Sequence, residues 1–184
     1  MAAPFFKAPG RSVQRMIAEK LELPHKIQSH EERIKALVTA LNQGCPNGWA
    51  FSGSFALWLW AKSKGVASRE PGDIDILVSI DAYHRSVPDL YPAVLPMPKR
   101  GFAGMGGKGW TAEIEKGLDI DWIIESVARG KLSDCVQLNV PGLGTVNIIK
   151  LDVLLDYKTK MSDTGTKKGQ QAEEDTLFIK KLLG

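Results

Sequence analysis

Apolar residues recur at spacings of three and four over Ile34, Leu37, Val38 and Leu41, one face of a helix that begins near Ser29 and stops at Gly44. Ser12 to Leu23, ended by Pro24, predicts a second and weaker helix after an arm over residues 1 to 10. Trp49-Ala50-Phe51 runs into Ser52-Gly53-Ser54 and then into an apolar stretch from Phe55 to Lys64 closed by Gly65, which reads as strand, tight turn and helix. Trp58 and Trp60 stand two apart on that helix and cannot share a face, and Trp58 is the one expected in the core. At Ile74, Ile76, Val78 and Ile80 the period changes to two, predicting a strand whose other face carries Asp73, Asp75, Leu77 and Ser79.

Residues 92 to 110 hold three prolines and five glycines, and predict a long loop or an irregular hairpin. Thr111 to Glu115 and Leu118 to Glu125 follow as strands, and Val136 to Val140 and Thr145 to Ile149 flank the turn Pro141-Gly142-Leu143-Gly144. Leu151 to Met161 and Gln170 to Leu183 close the chain as helices. No internal repeat is present. The class is α+β (mixed α/β), with a sheet of about four to five strands. At 184 residues the chain forms one domain, organised as an N-terminal arm and helices (1–48), a core (49–160) and a closing helix packed on it (161–184).

Composition adds exclusions. Hydrophobic residues at 43% and charged residues at 24% fit a folded chain and exclude disorder as its main state. The formal charge of +3 is too mild to mark a dedicated nucleic-acid or membrane binder. The longest apolar run, Phe55 to Ala61, is far short of the roughly 20 residues of a membrane span, so a cytoplasmic protein is expected. Cys45 and Cys135 form no CxxC, and His25, His30 and His84 share no ligand spacing with them or with each other. Ser54 does not sit in a nucleophile elbow, because position 56 is Ala and not Gly.

Two features carry chemistry. Gly53-Ser54 ends a strand and starts a helix, where a glycine permits close backbone approach and the free helix N–H groups favour an anion. Asp73 and Asp75, at i and i+2 on one strand, share a face of the sheet. Adjacent carboxylates repel unless a cation lies between them, and hard oxygen donors suit Mg²⁺ bridged to a substrate phosphate. A third carboxylate is then wanted, and Asp119 or Asp121 on a later strand can supply it. Asp121 is the stronger candidate, because its neighbours Ile120, Trp122, Ile123 and Ile124 make an acid there costly. The alternative is that Asp73 and Asp75 are simply a solvated strand face. The Lys99-Arg100 to Lys108 stretch with Trp110 would suit an acceptor, a base or an RNA end.

Ser52-Gly53-Ser54, a helix, Gly72-Asp73-Ile74-Asp75-Ile76 and then a lone acid on a later strand resemble the signature of the nucleotidyltransferase superfamily that includes DNA polymerase β. Within it the chain is most similar to the small bacterial nucleotidyltransferases of the AbiEii toxin and MNT type, over roughly residues 49 to 180. Leu151-Asp-Val-Leu-Leu-Asp-Tyr-Lys158 resembles their post-core helix, and Glu174-Asp175 their closing segment. Gly72 stands where a Ser is frequent and Glu174 where a Lys is, and the Ser54 to Asp73 gap is longer than in minimal members. The resemblance implies a mixed sheet with helices on one face, Mg²⁺ or Mn²⁺, and transfer of a nucleoside monophosphate from a nucleoside triphosphate to a hydroxyl. It implies that Gly53 and Ser54 hold the β and γ phosphates, that Asp73 and Asp75 bind both metals, that Asp121 completes the second metal site and helps activate the acceptor hydroxyl, and that Lys158 neutralises triphosphate charge. The acceptor stays open among a protein hydroxyl, a tRNA or other RNA end and a small molecule, with a toxin–antitoxin setting as one possibility. The alternative reading is a catalytically silent protein of the same fold that binds nucleotide or a partner.

Overall fold

The computed structural model describes residues 30–44, 46–85, 100–104, 107–115, 118–125, 130–162 and 165–184. The arm over residues 1 to 10, the helix expected over Ser12 to Leu23, His25, Cys45, the three prolines between 92 and 98 and Lys99 lie outside them.

The first described element is helix α1 (His30–Gly44), whose Ile34, Leu37, Val38 and Leu41 are buried as their spacing requires. Strand β1 (Trp49–Ser52) leads without a linker into α2 (Gly53–Ser63), which ends at Gly65 with φ +67°. Strand β2 (Asp73–Val78) follows, and then a short helix α3 (Ile80–Arg85). Here the expected strand to Ile80 is corrected. The Ser79 hydroxyl accepts the Ala82 N–H at 3.1 Å, so Ser79 caps a helix and turns Ile80 out to solvent, 57% exposed.

The glycine-rich stretch resolves into a hairpin. Strands β3 (Arg100–Gly104) and β4 (Gly107–Glu115) pair antiparallel, and β4 pairs in turn with β5 (Leu118–Ile124). The register places Thr111 opposite Asp121 and sets Trp110 and Lys108 at positions of the other sheet face. A 3₁₀ turn (Leu132–Asp134), the hairpin β6 (Cys135–Val140) and β7 (Gly144–Ile149), and helices α4 (Leu151–Ser162) and α5 (Lys167–Leu183) complete the chain. The α5 N-cap is Thr166, whose hydroxyl accepts the Gly169 N–H at 3.1 Å.

All strands join one open mixed sheet in the order β3-β4-β5-β2-β1-β7-β6. The mixed class agrees with expectation, and the hairpin strand β3 carries the sheet beyond the strands that alternation predicted. In the centre β1 runs antiparallel to β2 and parallel to β7, and β2 runs parallel to β5. Trp49, Phe51, Ile74, Ile76, Val78, Trp122 and Ile148 occupy one side of these strands, matched across by register. They form a single core with Leu37 and Leu41 of α1, Phe55 and Leu59 of α2, Leu154 of α4 and Ile179 of α5. The helices of this core thus share one face of the sheet, and the opposite side of β2 and β5 carries Asp73, Asp75 and Asp121 toward one end and the buried pair Leu77 and Ile123 toward the other. Trp58 and Trp60 are both half-buried against this core, contrary to a fully buried Trp58. The Trp60 indole N–H donates to the Ile149 carbonyl at 2.9 Å and ties α2 to the end of β7, next to α4.

Candidate active site

Alternation dictates that Asp73 and Asp75 leave β2 on the side opposite Ile74 and Ile76. Parallel pairing then sets Asp121 directly beside Asp75, while Asp119 takes the register position beside Asp73. A carboxylate oxygen from each of Asp73, Asp75 and Asp121 comes within 4.8 Å of the others, at partly buried positions. Three hard oxygen donors this close are a fitting set for a divalent cation. The Asp73 carboxyl is raised above its usual range, first by burial and then by the charge of Asp121, with Lys168, Lys158 and Arg69 pulling the other way.

The turn before α2 meets this cluster from the other side. Ser52 is opposite Asp75 on the neighbouring strand, and Gly53 follows it with φ +61°. A Cβ on Gly53 would lie 1.8 Å from Asp75 Oδ2, so only glycine lets the turn close over the carboxylate. Ser52 makes no side-chain cap to α2. Gly53→Ala is expected to displace Asp75 and abolish binding of divalent cation together with nucleotide while α2 still forms. Mn²⁺ titration followed by electron paramagnetic resonance would check this, and unchanged Mn²⁺ affinity would refute it.

Lys158, on α4, reaches Ser54 Oγ at 3.2 Å and forms an ion pair with Asp175 of α5 at 2.7 Å. Asp175 also binds Arg69, from the loop before β2, through contacts of 3.2, 3.0 and 2.9 Å, and Arg69 Nη2 donates to Ser54 Oγ at 3.2 Å. One carboxylate against two cations leaves a net positive charge beside Ser54. Ser54, Lys158 and Arg69 line a cleft of about 360 Å³ that also holds the three aspartates, Tyr157 and Lys168. Every site residue expected from sequence, Gly53, Ser54, Asp73, Asp75, Asp121 and Lys158, falls in this one cleft.

No protein-family model matches the chain, and no curated protein matches its sequence. Solved structures do. A crystal structure of ANT(2″)-Ia in complex with adenylyl-2″-tobramycin matches with TM-score 0.53 at 17% identity, over 80% of this chain and 86% of that one. A solution structure of the antibiotic-resistance factor ANT(2″)-Ia matches with TM-score 0.54 at 18% identity, over 84% of each chain. Lincomycin-bound LnuA, a lincosamide antibiotic adenylyltransferase, matches with TM-score 0.50 at 13% identity, over 80% of this chain and 97% of that one. The fold is that of the nucleotidyltransferases.

Within the nucleotidyltransferase fold, Arg69 and the role of Asp175 are what sequence reasoning missed. Arg69 had no signal of its own, since its partner lies 106 positions away. Asp175 had one. It falls on the buried stripe of α5 marked by Ala172, Thr176, Ile179 and Leu182, where an acid requires a partner. Cys135 has no place in the site. Burial, then Asp134 and Glu125, push its thiol up to about 12, which keeps it protonated and unreactive. Among the described residues, no helix is long and apolar enough to cross a membrane.

Proposed function

We propose that the protein is a divalent-metal-dependent nucleotidyltransferase that moves a nucleoside monophosphate from a nucleoside triphosphate to a hydroxyl acceptor. The observation that carries this reading is the convergence of Asp73, Asp75 and Asp121 within 4.8 Å on the sheet face beside the Gly53-Ser54 turn. Asp73, Asp75 and Asp121 would hold Mg²⁺ or Mn²⁺, which would supply charge neutralisation at the reacting phosphate. Gly53 brings the first-turn N–H groups of α2 up to the phosphates, and Ser54, Lys158 and Arg69 bind and orient their leaving end. Asp121 would accept the proton of the incoming hydroxyl, a role supported by its lying farthest from that end along the row Ser52, Asp75, Asp121.

The adenylyl-tobramycin and lincomycin complexes of the similar structures favour a small hydroxylated acceptor. The sequence resemblance keeps a protein or a tRNA end, and a toxin–antitoxin setting, as the other acceptor classes. The test is pyrophosphate release from each of the four nucleoside triphosphates with Mg²⁺, offered aminoglycosides, lincosamides, tRNA and protein extract in turn. Release that depends on one acceptor, with that acceptor gaining the mass of a nucleoside monophosphate, supports the reading. Nucleotide binding with no transfer to any acceptor would favour the silent alternative.

The raised Asp73 carboxyl has a stability consequence. A carboxyl whose pKa is higher folded than unfolded binds its proton more tightly in the native state. Stability therefore falls as pH rises from the unfolded value near 3.8 through the folded one, and stays reduced above it. Asp73→Asn is expected to raise the melting temperature of the metal-free protein at pH 7 and to remove the stabilisation that Mg²⁺ gives the parent. Calorimetric melts with Mg²⁺ and with chelator check both. A lower melting temperature for the variant without metal would contradict the assignment.

A further inference from the structure

A second cavity, of about 380 Å³, lies on the far side of Ser54 and Arg69, between α2, the loop before β2 and α5. Ser54 and Arg69 line both this cavity and the acidic cleft. Its floor is apolar, formed by Leu57, Trp58 and Phe178, and exposed Ala67 and Glu174 stand at its rim.

The sheet register decides which part of a substrate reaches this cavity. Across the strands the order is Asp121, Asp75, Ser52 and then the Gly53-Ser54 turn. With Asp73, Asp75 and Asp121 holding the cation that would bind the α-phosphate, in-line displacement would bring the acceptor from the Asp121 side and expel the leaving group past Ser54, Lys158 and Arg69. Neither the acceptor nor the transferred nucleoside lies on the leaving-group side, so a simple triphosphate would leave the cavity unfilled. We propose that it receives a nucleoside carried by the leaving group, so that the preferred donor is a dinucleoside polyphosphate. This rests on the nucleotidyltransferase reading above. An apolar floor suits a planar base, and the Glu174 carboxylate suits ribose hydroxyls.

The reaction balances without a further reactant. A bond forms between the acceptor oxygen and the α-phosphorus, and the bond from that phosphorus to the bridging oxygen breaks. The bridging oxygen leaves with the nucleoside polyphosphate, the hydroxyl proton passes to Asp121, and nothing is oxidised or reduced.

The test is titration calorimetry of the full chain with Mg²⁺-ATP and with Mg²⁺-diadenosine tetraphosphate, without acceptor, on the parent, Ala67→Trp and Phe178→Ala. The dinucleotide is expected to bind about tenfold tighter than ATP to the parent. Ala67→Trp, which fills the rim from an exposed loop position, is expected to erase that gain with ATP affinity kept within about twofold, and Phe178→Ala to reduce it. ATP binding with no preference for the dinucleotide, or a preference that survives Ala67→Trp, overturns the inference and leaves the nucleotidyltransferase reading standing. Failure of the parent to bind either ligand or any of the other three Mg²⁺-nucleoside triphosphates overturns that reading as well.

Discussion

Asp75→Asn is expected to lower nucleotidyl transfer by about 10³-fold, the equivalent of the several kcal/mol that a metal-held phosphate gains in its transition state. Asp75 is the centre of the site. It pairs with Ser52 on one side and Asp121 on the other, and its Oδ2 occupies the space that a Gly53 Cβ would need. The amide keeps the shape and one oxygen donor but loses the charge, so the fold is expected to survive. A kcat that collapses with an unchanged melting profile would check this. Transfer within a few-fold of the parent would remove Asp75 from the mechanism.

The second large effect falls on stability. Asp175→Ala is expected to destabilise the protein by about 3–5 kcal/mol, the cost of leaving a buried charge without its partner. Lys158 and Asp175 have side chains only 9% and 4% exposed, so little solvent can take the place of the lost carboxylate. Arg69, at 40%, can turn to water, and its share of the loss is correspondingly small. For a chain of this size the melting temperature should drop by roughly 10 °C. Double substitution of Lys158 and Asp175 by Met and Leu should recover much of it while leaving nucleotide binding impaired. If the double variant binds Mg²⁺-ATP as the parent does, the network has no part in holding phosphate.

The contrast between these two sites explains what the sequence disclosed. The Gly53-Ser54 turn and the Asp73, Asp75 pair are local. Their chemistry depends on one turn and one strand, whose periodicity is readable within a few residues. Asp121 was reachable because an acid among Ile120, Trp122 and Ile123 breaks the apolar pattern of its strand. The Arg69 contacts with Asp175 and Ser54 are tertiary, joining a loop, the last helix and the turn, and no short-range pattern encodes them. Helix α3 was missed for a different reason. Ile80 completes a period-two run, and the hydroxyl of Ser79 overrides that period by capping the next turn. In the glycine-rich stretch the breakers obscured which residues form strands, since Gly101, Gly104, Gly107 and Gly109 interrupt the alternation along β3 and β4.

The three aspartates are expected to serve transfer of a nucleotidyl group, as distinct from a phosphoryl group or mere binding. The most direct measurement uses triphosphate labelled at either the α or the γ phosphorus, incubated with Mg²⁺ and the acceptor panel, on the parent and on Asp75→Asn. The α label is expected to move to the acceptor and the γ label to leave in pyrophosphate, with both processes lost in the variant. Transfer of the γ label, or α-label transfer of equal rate in Asp75→Asn, would contradict it.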